Sequence, residues 1–289
     1  MRGETYVPQP LLRQAALIAC TAAYGAITPE ALAEREQVTA ERASERLDEA
    51  VQRGLLKRES VLVGYAALYT VTSKGRNLAR RYAHTGEYVY PKGLRTPVVS
   101  IKEARHMIAC AGVRAAIERR YPDHRVSGEL ELCRDEREQG RRLASVEIRG
   151  TGRRRSHSPD LVIWPPATPS TPATPSTPDT PDTPDTPDTS ATSSTQQTPE
   201  APRSTPSPVP VPVAIEVELT IKAKAELMAN CRAWARCRYV EAVIYFAETR
   251  SIEEKLLDAV EECKGEQRIV VNPLREILNP QPGFPLLDE

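Results

Sequence analysis

The chain has 289 residues, 40% of them hydrophobic, and its 39 basic side chains equal its 39 acidic ones. That length suits about two ordinary domains, and the absence of a long apolar run argues against a transmembrane helix. The start, MRGETYVPQP, carries no apolar secretory stretch, so a cytoplasmic protein is expected. Its six cysteines are scattered without a C-x-x-C pair, which points to free thiols in a reducing compartment. The zero net charge hides an asymmetry: residues 1–163 hold 28 Lys+Arg against 20 Asp+Glu, and the remainder 11 against 19. The basic half suits a polyanionic partner.

In chain order, helices are predicted over 11–24, 28–36 and 39–53, a hairpin over 61–71 and a further helix over 73–83. Thr28 and Thr39 are suitable N-caps, Pro29 suits a first helical turn, and Gly54 marks a helix stop. The hairpin LVGYAALYTVT has its turn near Gly64. Two short helices joined by a tight turn and followed by a hairpin make a winged helix-turn-helix, placed at residues 9–83. Residues 84–100, with Pro91 and Pro97, form a connector.

A long helix is expected over 100–120. Strands follow near 126–134, 143–149 and 159–164. The segment 165–212 holds 15 of the 26 prolines, in runs such as TPDTPDTPDT, and reads as an extended, disordered Pro/Thr/Ser-rich linker. It joins two predicted strands, LVIW and VPVAIEVELT, so it reads as a long insertion at a hairpin tip. Loop-closure entropy grows only logarithmically with length, and a fold tolerates such an insertion. Beyond it come a strand at 213–219, a helix at 223–237, a strand at 239–247, a helix at 251–263 and a strand at 267–271. The fold class is therefore α+β, with a second domain formed by 101–164 and 213–275.

Two groups of residues carry candidate chemistry. In the first module, Arg42 and Arg46 on the second helix of the turn motif face a groove-binding role. Lys57, Arg58, Lys74 and Arg76 sit where wing and wing-flanking phosphate contacts belong. Glu41, Glu45 and Asp48 on the same helix oppose that reading and leave open a protein interface. In the second domain, Glu216 and Glu218 alternate along a strand and so share one face. Same-facing buried carboxylates are costly unless a cation neutralises them, and Mg2+ takes oxygen ligands of this kind. Asp160, on the preceding strand, is a further candidate ligand. The run Arg153-Arg154-Arg155 forms a loop beside it that would draw in a phosphate backbone. His106 reads as a structural or surface histidine, and His157 either lies near a metal or is an exposed turn residue. Trp234 reads as core.

The first module resembles the winged helix-turn-helix domains of bacterial regulators, on its GLLKRE and YTVTSKGR segments. The resemblance implies that the helix starting at Thr39 lies in the DNA major groove. The second domain is similar to the PD-(D/E)xK nuclease superfamily, with its restriction-endonuclease-like fold. The resemblance implies Asp160 and Glu216 as metal ligands, with Glu129, favoured over Glu118, as an earlier acid. The lysine expected two positions after Glu216 is replaced by Glu218. Lys222, or less readily Lys224, could stand in; without such a cation the extra carboxylate adds repulsion, and the domain would bind DNA ends or branched DNA without cutting. Taken together the halves resemble the replication-relaxation family of bacterial plasmids and mobile elements, on SIKEARHMIACAGVRAAIERR, GELEL, HSPDLVI and IEVELTIKAKAEL. That implies a DNA-binding factor of replication, on duplex or branched DNA. The alternatives are an Mg2+-dependent endonuclease and a transcriptional or protein-interaction regulator using the acidic helix or the Pro/Thr tract.

Overall fold

A computed structural model describes residues 8–60, 63–82, 97, 99–149, 154–166 and 211–279. The expected linker and almost all of the expected connector lie outside these residues. Residues 1–166 and 211–289 form one compact unit of mixed α and β structure. Among the described residues no helix is long and apolar enough to cross a membrane.

The first part of the unit runs α1 (Gln9–Tyr24), α2 (Pro29–Glu36), α3 (Ala40–Gln52), β1 (Leu56–Glu59), β2 (Leu68–Val71) and α4 (Ser73–Tyr82). Thr28 and Thr39 cap α2 and α3, their hydroxyls accepting from the Ala31 and Arg42 amides. Helix α3 is strongly amphipathic: Ala43, Leu47 and Ala50 are buried against α1 and α2, while Glu41, Arg42, Glu45 and Glu49 face outward. Gly54 stops the chain with φ +70, a conformation that favours glycine. The residues after it are therefore free to pair at once, and β1 begins at Leu56, earlier than the predicted hairpin at 61–71. Strands β1 and β2 are antiparallel, with Leu56 opposite Val71 and Glu59 opposite Leu68. A bridge from Ile27 to Tyr69 ties this ribbon to the turn between α1 and α2.

The second part begins with α5 (Ile101–Arg120), capped by Ser100, and continues through β3 (Arg125–Gly128) and α6 (Glu129–Gln139). The predicted strand at 126–134 is thus a four-residue strand followed by a helix. The ELEL alternation imitates a strand, but Leu132 is buried and Leu130 is exposed on a helix. The Glu131 carboxylate accepts from the Gly128 amide and starts that helix, and Gly140 ends it in the left-handed conformation. Strands β4 (Val146–Arg149) and β5 (Arg154–His157) make a separate hairpin.

Strands β6 (Leu161–Trp164), β7 (Val213–Glu218), β8 (Val243–Ala247) and β9 (Ile269–Pro273) complete a five-stranded sheet of order β3-β6-β7-β8-β9. The pair β6 and β7 is antiparallel, with Leu161 opposite Ile215, so the long insertion does separate two neighbouring strands. Strands β7, β8 and β9 are parallel. Helices α7 (Lys224–Ala235) and α8 (Arg250–Cys263) cover one face through Leu227, Trp234, Ile252 and Leu256. Helix α5 and the short α9 (Leu274–Leu278) cover the other through Val113, Ile117 and Ile277.

Helix α5 also joins the two parts. Arg114, 3% exposed, donates to the carbonyls of Ala23 and Val126 and to the carboxylates of Glu118 and Glu131. Its guanidinium stacks over the Tyr24 ring. Glu118 also accepts from the Tyr24 hydroxyl and from Arg35, so this acid serves the junction.

Candidate functional site: an acid cluster beside an arginine-lined groove

The sheet register puts Glu216 and Glu218 on one face of β7, opposite Tyr245 and Ala247 of β8. Both glutamates are buried, which raises the question of what neutralises them. The answer is internal. His157 Nε2 lies 2.7 Å from Glu216 Oε1, and the Trp234 indole donates to the same oxygen at 3.1 Å. Lys222, just before α7, places its ammonium 2.5 Å from Glu218 Oε2. Asp160, at the start of β6, accepts from the Val217 amide at 2.7 Å and lies 3.3 Å from His106 Nε2. That same ring nitrogen lies 3.2 Å from the Val217 carbonyl oxygen. Each of the three acids therefore has its own cationic partner, supplied by α5, β5 or the β7–α7 turn.

The titration behaviour follows this pairing. The His106 imidazole is pushed up to about 9 by its hydrogen bond to Asp160, which outweighs burial. At His157 burial favours the neutral ring, but the bond to Glu216 and the negative charges of Glu216 and Asp160 together offset it, and the net shift is upward. Burial raises Glu216, with His157 opposing. Burial alone would lower Lys222, and the Glu218 carboxylate reverses the sign. Glu129 is raised by burial and then by Asp160.

Magnesium coordination fits this arrangement poorly. The ion needs several oxygen ligands converging on one point. Among the described residues the one set of three close ligand atoms is His106, Cys110 and Asp160, and not the expected Asp160, Glu216 and Glu129. Glu216 is turned to His157 and Trp234. Glu129 stands at the first turn of α6, where its amide donates to the Asp160 carbonyl, and not on a strand as expected.

Beside the cluster lies an open groove of about 770 Å³. Asp160, Glu129 and His157 border it on one side, and Arg137, Arg141 and Arg142 line it further out. Arg137 and Arg141 are exposed; Arg142 is half-buried, 3.4 Å from Glu147. Arg137 stands at the end of α6, and one side chain organises the loop that presents Arg141 and Arg142. The Glu136 carboxylate accepts from the amides of Leu143, Ala144 and Ser145 and from the Ser145 hydroxyl. Burial works against its ionisation, but the amide bonds prevail and hold it below the usual glutamate range. The expected Arg153-Arg154-Arg155 loop is different: Arg154 and Arg155 belong to β5, and Arg153 lies outside the described residues. Arg155 is exposed and meets Glu226 at 3.1 Å.

Of the cations expected in the first part, Arg42, Arg46, Lys57, Arg58 and Lys74 lie close to an acid or a carbonyl. Arg42 pairs with Glu45, Arg46 with Glu36, Lys57 with Glu59, and Arg58 lies 3.9 Å from Asp48. Lys74 donates to the Arg53 carbonyl, and Arg76 is half-buried. Lys224 is drawn away from the acid cluster to Glu262. Sequence reasoning missed Arg137, Arg141, Arg142 and the Glu136 clasp. The string EREQGRR was the available signal: basic residues flanking a helix-stopping glycine. Compared with protein-family models, curated proteins and solved structures, the chain finds no match.

Proposed function

We propose that this chain is a DNA-binding protein whose core grips the phosphate backbone through the Arg137–Arg141–Arg142 groove. A winged helix-turn-helix at its N-terminal end supplies a second contact. The observation that carries this reading is the groove, an open cleft lined by Arg137 at the end of α6 and by Arg141 and Arg142 on the following loop, which Glu136 locks. Planar guanidinium groups suit phosphate oxygens, and preorganisation of their loop lowers the ordering cost of binding. The order α1, bridge, α2, α3, β1, β2 supports the winged-helix reading, and α3 keeps Arg42 outward. Within the five-stranded sheet, α5 is followed by β3, β6 and β7 and then by α7 and β8, with α6 and the β4–β5 hairpin intervening between β3 and β6; this order, with Asp160 and Glu216 at adjacent strand positions, supports a restriction-endonuclease-like core. The role in plasmid or mobile-element replication rests on the family resemblance, and the free cysteines suit a cytoplasmic setting.

The test is fluorescence anisotropy on the full chain with duplex and branched DNA across a salt series. Arg137→Ala/Arg141→Ala/Arg142→Ala should weaken binding on every sequence and reduce the log–log salt slope by roughly 2 to 3. Unchanged affinity and slope in that variant would overturn the proposal.

One observation favours a second reading, the endonuclease: Lys222 returns a cation to the acid cluster in the place of the missing motif lysine. It ranks second because Glu218 holds that ammonium and the acids face their own cations. Supercoiled plasmid incubated with Mg2+ or Mn2+ separates the two. Retained supercoiling excludes the endonuclease and leaves the binding reading standing, whereas nicking lost in Asp160→Asn would promote it.

A further inference from the structure

The His106–Cys110–Asp160 group meets the groove through Asp160 alone, and the DNA contact proposed above draws on the arginines and not on this group. His106 and Cys110 are separated by four residues on α5, so one helix face carries both. Asp160 reaches them from the start of β6, and its own position is fixed by the Val217 amide. Ligand atoms of all three residues lie within 4.8 Å of one another. Cys110 Sγ is 3.6 Å from His106 Nδ1, and Asp160 is 3.3 Å from the other ring nitrogen. None of the three is fully buried, and Asp160 borders the groove, so an ion has a way in.

We propose that these three side chains form a binding site for a borderline transition-metal ion, with Zn2+ as the expected occupant. The donor set decides the metal class. Nitrogen, sulfur and carboxylate oxygen together are a zinc or cobalt set; magnesium and calcium take oxygen. His106 Nε2 faces both other donors, 3.3 Å from Asp160 and 3.7 Å from Cys110 Sγ, so this nitrogen would take the ion in place of its contact with the Val217 carbonyl, and Nδ1 would carry the ring proton. Glu129, which borders the groove with Asp160, is a further carboxylate on offer for a fourth position. On binding, Cys110 releases its thiol proton and His106 releases the ring proton it holds against Asp160, both to solvent, and the two coordinate as thiolate and neutral imidazole.

The test uses the metal-stripped full chain under reducing conditions, titrated with Co2+ and then displaced with Zn2+. One equivalent of Co2+ should produce a thiolate-to-cobalt charge-transfer band together with the visible bands of a four-coordinate ion. Zn2+ should bleach both and raise the melting temperature. Cys110→Ser should abolish the charge-transfer band, and Asp160→Asn should weaken Co2+ binding by roughly tenfold or more. Cys133→Ser, which alters a groove thiol outside the group, should leave the titration unchanged. Circular dichroism melts of each variant establish that it is folded. If Cys110→Ser is unfolded, selective protection of Cys110 from alkylation by Zn2+ in the wild-type chain replaces it. No charge-transfer band in the folded wild type, a band that survives in folded Cys110→Ser, or unprotected Cys110 overturns the proposal. None of these readouts involves DNA, so failure here leaves the groove reading intact.

Discussion

The two ends of this molecule use the same residue types to opposite effect. On the N-terminal helical part, Arg42 pairs with Glu45 and Lys57 with Glu59 at the surface, and these pairs remain in contact with water. In the core, Glu216 and Glu218 are sealed beneath α7 and meet His157 and Lys222. Exposed pairs contribute little and exchange readily for a ligand phosphate. A buried pair offsets a large desolvation cost, and loss of one partner strands the other. Burial, not residue identity, therefore decides which charges are available for recognition and which are committed to the fold.

The largest expected effect comes from splitting a buried pair. His157→Ala removes the partner from Glu216 and leaves it the Trp234 indole at 3.1 Å. Chemical denaturation should register a loss of about 3 to 5 kcal/mol. The double variant His157→Ala/Glu216→Gln keeps an acceptor for the indole without a buried charge, and most of that loss should be regained. A double variant as unstable as the single one would mean that packing, and not charge, sets the cost. The pair also fixes a pH trend. The folded pKa of His157 lies above its ordinary value, so its contribution is complete below about 6.5 and fades as pH rises through the folded value. Glu216, also raised, adds a change of the same sign.

The Glu136 clasp should have a smaller effect. Glu136→Ala leaves the Leu143, Ala144 and Ser145 amides without their acceptor, and the expected cost is about 1.5 to 3 kcal/mol. Because the folded pKa of Glu136 is lowered, its contribution is present above the unfolded glutamate value and disappears as pH falls through the folded one. Amide protection factors at 143–145 should fall on acidification in the wild type and be low at all pH values in Glu136→Ala. Equal protection in both would remove the clasp from the account of the groove.

How much of this was readable in the chain depended on the range of the interactions. Caps and helix stops such as Thr28, Thr39 and Gly54 act within a few residues, and α1 to α4 follow from them. The Pro/Thr insertion between two strands is equally plain, because composition alone marks it. The strand pattern of VAIEVE correctly put Glu216 and Glu218 on a shared face, and the need for a neutralising cation was a sound inference. Its source was out of reach: His106 meets Val217 across 111 residues, and His157 meets Glu216 across 59. No local pattern encodes such a meeting, so Mg2+ stood in for two histidines and a lysine. The strand expected at GELEL failed for another reason. Period-2 hydrophobicity over four residues carries less weight than a glycine start, a Glu131 cap and a run of good helix formers.

The smallest effect on stability should come from Arg42, and that is why it sharpens the contrast most. Its side chain is 67% exposed and its partner Glu45 equally so, on an outer face of α3 that carries no buried side chain. Arg42→Ala should change stability by no more than about 0.5 kcal/mol. The helix cap survives, because Thr39 accepts from the Arg42 backbone amide, which the substitution keeps. If α3 contacts DNA, the same variant should lower affinity at low salt and reduce the salt slope by about 1. Glu45→Gln should do the reverse, since removing the carboxylate frees the guanidinium and lessens repulsion of phosphate. Anisotropy and denaturation measured on the same preparations give both numbers. A variant pair that moves neither affinity nor stability would assign the acidic outer face of α3 to a protein partner and leave DNA to the groove alone.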